Sequence, residues 1–266
     1  MAMKRISSRD NPLLRQARSV RDGKIDGLIF IEGLRLAEEA LQSGLEIEAV
    51  ISSAEIAEKE RAARFLSAVS AVCRRIGSVS EKLLATISFT KTPQGIILLA
   101  KRPESGKAQL ALRAKVEPLL VILHGINNPV NVGAIMRSAE AAGATGVITT
   151  VNTADPFSPR SLRGAMGSAF RLPIWEMASY DDALRWCAAH KIKTVCADVK
   201  AKALYTELDW TIPRALIVGP ESTGLSGDEV AAADEAVRIE MKGQVESLNV
   251  GVAAGVLLYE AARQRG

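Results

Sequence analysis

The sequence predicts an α/β protein in two parts, a small α/β sandwich followed by a mostly parallel α/β domain. Three observations carry this reading. Short apolar runs alternate with amphipathic stretches along the chain, the pattern of strands joined by crossover helices. In the second half the runs are continuous, as at Leu119–Leu123, which suits strands buried on both faces. Between the halves lies Lys101-Arg-Pro-Glu-Ser-Gly-Lys107, polar and interrupted by Pro and Gly, a linker composition. The 266 residues therefore divide into a domain over 1–102, a linker over 103–116 and a second domain over 117–266.

In the first domain Asn11-Pro12 opens a short basic helix over 11–22, since Asn is a favoured cap and Pro suits the first helical position. A strand follows over 28–31. Leu34, Ala37, Ala40 and Leu41 are spaced for an amphipathic helix over 32–43, which Gly44 ends. A strand over 47–51, a helix over 54–69, a strand over 71–76, a helix over 80–85 and a strand over 95–100 complete it.

The second domain opens with the strand over 119–123 and a helix over 132–142, closed by Gly143. Strands over 146–149, 194–197 and 215–218 alternate with helices over 181–189 and 226–233, which implies a mostly parallel sheet. The last helix, over 248–263, carries Val250, Ala253, Ala254, Leu257, Leu258 and Ala261 at helical spacing. Gly251 and Gly255 share one of its sides, open to tight internal packing or to a subunit contact.

Composition excludes several classes. Hydrophobic residues make up 48% and charged residues 24%, the balance of a globular chain rather than a disordered or fibrous one. With 3 Trp, 3 Tyr and 5 Phe, the core must be built from Ala, Val, Leu and Ile. The longest nearly continuous apolar stretch, 250–259, holds two glycines and falls short of the roughly 18–20 residues of a membrane span. The charged N-terminus has no apolar segment behind it, so no secretory signal is expected. Cys73, Cys187 and Cys196 are odd in number and widely spaced, which suits buried thiols in a reducing cytoplasm. His124 and His190 are the only histidines, too few for a zinc pattern, and no metal is expected.

Charge is divided unevenly. Residues 1–116 carry 20 Lys/Arg against 13 Asp/Glu, and residues 117–266 carry 14 against 17. The first 24 residues alone hold Lys4, Arg5, Arg9, Arg15, Arg18, Arg21 and Lys24, offset by Asp10 and Asp22. A basic first half points to a polyanion, with Lys4, Arg5, Arg9, Arg15 and Arg18 as candidate contacts. The alternative is a solvated helix face.

The common catalytic motifs are missing. Gly219-Pro-Glu-Ser-Thr-Gly224 has the glycine spacing of a P-loop, but Leu225-Ser226 follows where Lys-Ser/Thr is required. Gly224-Leu-Ser226-Gly-Asp228 has Asp in place of the last Gly of a nucleophile elbow. No G-x-G-x-x-G follows any expected strand.

Three polar, Gly-containing segments remain, each at the carboxyl end of an expected strand or leading into the last helix. That edge is where open α/β sheets bind ligands. The segments gather Asn131, Arg137, Glu221, Ser247 and Asn249, with no histidine among them. Asn131 and Ser247 could also be plain helix caps.

These segments resemble the three motifs of the SpoU (TrmH) family of RNA ribose 2′-O-methyltransferases, within the SPOUT class. The matching stretches are Asn128-Pro-Val-Asn131-Val-Gly-Ala-Ile-Met-Arg137-Ser-Ala-Glu-Ala-Ala-Gly143, Ile217-Val-Gly219-Pro-Glu221-Ser-Thr-Gly224-Leu-Ser226 and Ile239-Glu-Met241-Lys-Gly-Gln-Val-Glu-Ser247-Leu248-Asn249-Val. Order and spacing agree over roughly 117–264. Residues 161–173 resemble the family too, and the first half resembles its RNA substrate-binding domain, a ribosomal-protein-like α/β/α sandwich.

The resemblance implies a deep trefoil knot in the second domain and a homodimer formed through it. It implies S-adenosylmethionine as cofactor, bound near Gly219, Ile239, Met241 and Leu248. Asn131, Arg137, Glu221, Ser247 and Asn249 would be the catalytic set. A guanidinium keeps its proton at neutral pH, so Arg137 is expected to grip a phosphate and stabilise the developing alkoxide as a cation. Asn131 would orient it, Glu221 would pair with cationic groups, and Ser247 and Asn249 would hold the loops. Ribosomal RNA is favoured as substrate. The alternatives are a tRNA ribose methyltransferase of the same family, a base methyltransferase of the same fold and a non-catalytic RNA-binding protein.

Overall fold

The computed structural model describes residues 4–111 and 117–266. They group into two units: one runs to Pro103 and takes in Phe157–Phe170, and the other comprises Glu104–Pro156 and Arg171–Gly266.

The first unit begins with β1 (Lys4–Arg5), α1 (Pro12–Arg21), β2 (Leu28–Glu32), α2 (Leu34–Gln42) and β3 (Ile47–Ser53). It continues through α3 (Ala54–Ala57), α4 (Glu60–Val69), β4 (Ile76–Val79), α5 (Glu81–Ala85) and β5 (Ile96–Lys101). Its sheet runs in the order β1-β4-β3-β5-β2, with β5 antiparallel to both neighbours and the other pairs parallel. Asn11 caps α1, its side chain accepting the Leu13 N–H at 2.9 Å. Gly44, at φ +73°, turns the chain out of α2 in the left-handed conformation that favours glycine. Leu14, Val20, Phe30, Ile51, Leu84, Ile97 and Leu99 lie in its core.

Two expectations change here. The helix over 54–69 is two helices, because Lys59 between them takes an extended backbone (φ −76°, ψ 131°). The strand expected over 71–76 lies at Ile76–Val79 instead. Ala71–Cys73 closes α4, with Cys73 N–H bonding the Val69 carbonyl at 2.8 Å. The real strand was hidden by its small residues, Gly77 and Ser78. They leave room for Ile6, whose Cδ1 lies 2.6 Å from where a Cβ on Gly77 would stand.

The second unit begins with α6 (Lys107–Ala111), β6 (Leu119–Leu123), α7 (Pro129–Ala141) and β7 (Gly146–Thr150). The chain then returns to the first unit, where α8 (Pro159–Ala165) packs on β2 of that unit's sheet and α9 (Ser168–Arg171) leads back out. Then β8 (Ile174–Ala178), α10 (Tyr180–Ala189), β9 (Lys193–Ala197), β10 (Ala203–Leu204), β11 (Arg214–Val218), α11 (Gly227–Ala232), β12 (Glu235–Arg238) and α12 (Val250–Arg265) follow. Seven strands in the order β10-β12-β9-β11-β6-β7-β8 pair in parallel throughout. The linker expected over 103–116 is helical at Lys107–Ala111, with Leu110 buried; 112–116 lie outside the described residues.

β8, β10 and β12 escaped the sequence pattern. β12 has charge at both ends and one fully buried side chain, and β10 is two residues long. The three cysteines are buried and free. Burial pushes the Cys187 thiol up to about 12 and Cys196 up to about 11. Among the described residues no helix is long and apolar enough to cross a membrane.

Candidate functional site

In the second unit β6 and β11 lie side by side in register, Leu123 opposite Val218. Parallel pairing brings their carboxyl ends, and the loops that follow, to one edge of the sheet. The loops nearly touch there. His124 N–H bonds the Val218 carbonyl at 3.0 Å. Gly125 sits at φ +63°, and a Cβ on it would stand 3.1 Å from Pro220 Cγ. At Gly219 a Cβ would meet the Leu225 side chain at 2.7 Å and its backbone nitrogen at 3.0 Å. The 219–225 turn therefore closes on itself at a distance only glycine permits.

The chain after β12 returns as α12 and packs against α7. Gly251 faces Ala134 and Asn131, and Gly255 faces Ser138. These two glycines of the last helix thus pack against α7 of the same chain. Helix starts differ as well. Asn128 caps α7, accepting the Val130 N–H at 3.0 Å, so Asn131 is not a cap but lies inside the first turn. Asn249 caps α12, accepting from Gly251 N at 2.9 Å and Val252 N at 3.4 Å. Ser247, the expected cap, is exposed. Asn and Ser cap about equally well, and sequence alone does not choose between neighbours.

Asn131 and Asn249 meet over Gly251. A Cβ placed on that glycine would stand 3.2 Å from Asn249 Oδ1 and 3.8 Å from Asn131 Oδ1. Asn131 is only 8% exposed, and its buried Nδ2 has no hydrogen-bond partner. A buried amide left with an unused donor costs about 1–3 kcal/mol and calls for a partner that the described residues do not supply.

The other expected residues are less constrained. Arg137 on α7 is exposed, and so is Glu221 on the 219–225 turn. Neither has an ion-pair partner among the described residues. Ile239, Met241 and Leu248 are half-buried along the loop into α12. Among the described residues no group of three or more His, Cys, Asp or Glu could hold a metal ion.

One cluster was missed entirely. His124, read as part of a histidine-free edge, places Nε2 2.9 Å from Glu229 Oε1 and Nδ1 3.0 Å from Thr150 Oγ1. Tyr180 packs on its ring at 4.6 Å and donates to the Glu229 carbonyl at 2.9 Å. Burial raises the Tyr180 hydroxyl well above its ordinary value. Burial would raise Glu229 too, but hydrogen bonds from Ser226 N–H and His124 outweigh it and hold the carboxyl below the usual range. The only signal in the sequence was Ser226-Gly-Asp-Glu229, a capping box.

In the first unit Lys4, Arg5, Arg9 and Arg15 are exposed. Arg18 is turned inward, donating from Nη2 to the Arg9 carbonyl at 2.9 Å, with Nη1 buried and unpartnered.

A sulfonium nucleoside fits the donor set at the edge of the second unit. The unused Asn131 amide, the closed Gly219 turn and the half-buried apolar side chains of the 239–248 loop offer polar and apolar partners without a metal. The SpoU rRNA Methylase family model matches residues 118–259, and the MRM3-like substrate binding domain model matches 11–98. The chain is 30% identical to the 23S rRNA (guanosine(2553)-2′-O)-methyltransferase RlmP of Bacillus subtilis, over 97% of this chain and 98% of that one. A solved RNA 2′-O ribose methyltransferase is similar at TM-score 0.83 and 36% identity, covering 98% of this chain and 99% of that one. An AdoMet-bound rRNA methyltransferase from Sinorhizobium meliloti is similar at TM-score 0.86 and 28% identity, covering 98% of each chain.

Proposed function

Because the chain belongs to the SpoU rRNA methylase family, we propose that it transfers a methyl group from S-adenosylmethionine to a ribose 2′-hydroxyl of ribosomal RNA. It is an RNA ribose 2′-O-methyltransferase with S-adenosylmethionine as cofactor. Ribosomal RNA is preferred to tRNA because RlmP, similar over nearly the whole of both chains, is a 23S rRNA enzyme.

Gly219, Ile239, Met241 and Leu248 would hold the cofactor, which supplies an activated sulfonium methyl. A ribose hydroxyl attacks poorly until its proton begins to leave, so the residues must align the oxygen and stabilise its negative charge. Arg137 does so as a cation, gripping the neighbouring phosphate with its guanidinium fork and facing the developing alkoxide, while the hydroxyl proton leaves to solvent water. Asn131 offers its unspent Nδ2 donor to the bound molecules. Asn249 fixes the start of α12 and so the approach of the 239–248 loop, while Glu221 and Ser247 meet substrate at the rim. The observation that carries this reading is the buried, unpartnered Asn131 amide beside Asn249 and Gly251.

The finer features belong to the same proposal. The chain divides into a substrate-binding domain over 1–102 and a catalytic domain over 117–266. The SpoU rRNA Methylase match over 118–259 supports a trefoil knot in the second. Val130 at 54%, Val252 at 53% and Tyr259 at 57% exposure leave an apolar face on α7 and α12 that suits a homodimer. Free buried thiols and an RNA substrate favour the cytoplasm. Transfer of labelled methyl groups from S-adenosylmethionine to ribosomal RNA lacking the modification tests the assignment. Alkali-resistant dinucleotides in the product mark 2′-O-methylation, and methylated bases without them would refute it.

A further inference from the structure

Glu32, at the end of β2, is tied to one loop by nearly every lone pair its carboxylate has. Oε1 accepts from the Ser88 and Thr90 hydroxyls and from Gln94 N–H at 3.4 Å. Oε2 accepts from Phe89 N–H at 2.8 Å and Thr90 N–H at 3.1 Å. Arg21 adds a bond from Nη1 to the Ser88 carbonyl at 3.3 Å. The 88–94 loop has no regular secondary structure of its own, yet a half-buried charge holds its backbone in one shape. Fixing a loop in advance removes the ordering cost from whatever it binds.

What the loop presents is cationic. Lys91 at its tip is exposed and has no ion pair among the described residues. The Arg160 guanidinium, from α8, lies over the Phe89 ring at 5.6 Å, and Arg163 follows one turn later, also exposed. Neither 86–95 nor Pro159–Ala165 contains an acidic residue. Two separate segments thus meet at the Phe89–Arg160 contact and carry three cations, with an aromatic ring and a guanidinium plane on which a base can stack.

We propose that the Glu32-pinned 88–94 loop, together with Arg160 and Arg163, is a docking surface for the substrate RNA. Lys91 and Arg163 meet phosphates, and Arg160 over Phe89 receives an unpaired base. Glu32 is a positioning residue that acts through the loop. The inference rests on the methyltransferase reading above for the identity of its partner.

The test uses the full chain and protein-free ribosomal RNA from cells lacking the gene. RNA affinity is measured across a salt series, S-adenosylmethionine affinity by calorimetry and methyl transfer by label. Lys91→Ala combined with Arg163→Ala should weaken RNA binding about tenfold or more and flatten the salt slope by roughly two, one for each phosphate contact. S-adenosylmethionine affinity should stay at the wild-type value. Glu32→Gln should weaken RNA binding in the same direction, and Glu32→Asp should restore part of it. Wild-type RNA affinity and salt slope in the double variant, with methyl transfer intact, would overturn the surface and leave the enzyme assignment standing. Failure of the unaltered protein to bind or methylate the RNA would overturn both.

Discussion

His124 Nε2 and Glu229 Oε1 stand 2.9 Å apart, fastening the end of β6 to the first turn of α11. The other Glu229 oxygen accepts the Ser226 N–H at 2.7 Å. One carboxylate therefore anchors the exit of the 219–226 turn to the neighbouring strand. Glu229→Ala removes both bonds and the capping box. It should cost about 1–3 kcal/mol of stability in urea unfolding and weaken S-adenosylmethionine binding in calorimetry. Glu229→Gln keeps one acceptor oxygen and puts an NH2 donor in place of the other, and should fall between.

Gly219→Ala forces a methyl group against the Leu225 backbone, 3.0 Å from its nitrogen. Backbone cannot rotate away as a side chain can, so the turn must open. S-adenosylmethionine affinity should drop at least about tenfold, equivalent to about 1.4 kcal/mol, with RNA affinity unchanged. Unaltered cofactor affinity in calorimetry would remove Gly219 from the cofactor site.

Asn249 has a structural duty that a chemical role would not explain. Asn249→Ala should destabilise the chain by about 1 kcal/mol through the lost cap, and Asn249→Ser should recover most of it. Thermal unfolding of both variants separates capping from catalysis. If Asn249→Ser restores stability but not methyl transfer, the side chain also contacts substrate.

Acid should loosen α12 from its C-terminal end. Hydrogen bonds from Arg263 and then Gln264 hold the Glu260 carboxyl at about 2. A carboxylate lowered in the native state stabilises it at pH above the unfolded value of about 4.3. That contribution is lost as pH falls from there towards about 2. Glu260→Gln should remove part of the stability slope across this window and leave the slope above pH 5 as it was. Unfolding free energies of the two proteins over pH 2–6 check this.

Much of the second unit was legible because continuous apolar strands and Gly-closed helices leave strong patterns. Leu119–Leu123, α10 and the Gly143 exit fall where spacing puts them. Elements built from small or charged residues left none: β1 is two exposed cations, β4 hides behind Gly77, and β12 begins and ends with charge. Of the site, sequence found the loops but not their internal geometry. It could not tell that Asn128 rather than Asn131 caps α7, or that Gly251 and Gly255 of α12 pack against α7. The His124–Glu229 bond spans 105 residues, and no local rule reaches that far. Glu32 and the 88–94 loop were likewise invisible, because a carboxylate 56 or more residues from its donors looks like any surface charge.

The role of Arg137 as the cation beside the reacting oxygen is decided by methyl transfer to unmodified ribosomal RNA by Arg137→Ala beside wild-type enzyme. Loss of at least about a hundredfold in rate, about 2.7 kcal/mol of transition-state stabilisation, with cofactor and RNA still bound, is the expected result. Arg137→Lys would keep much of the rate if charge suffices and little if the guanidinium fork is required. Ribose methylation by Arg137→Ala at the wild-type rate would remove Arg137 from the catalytic set.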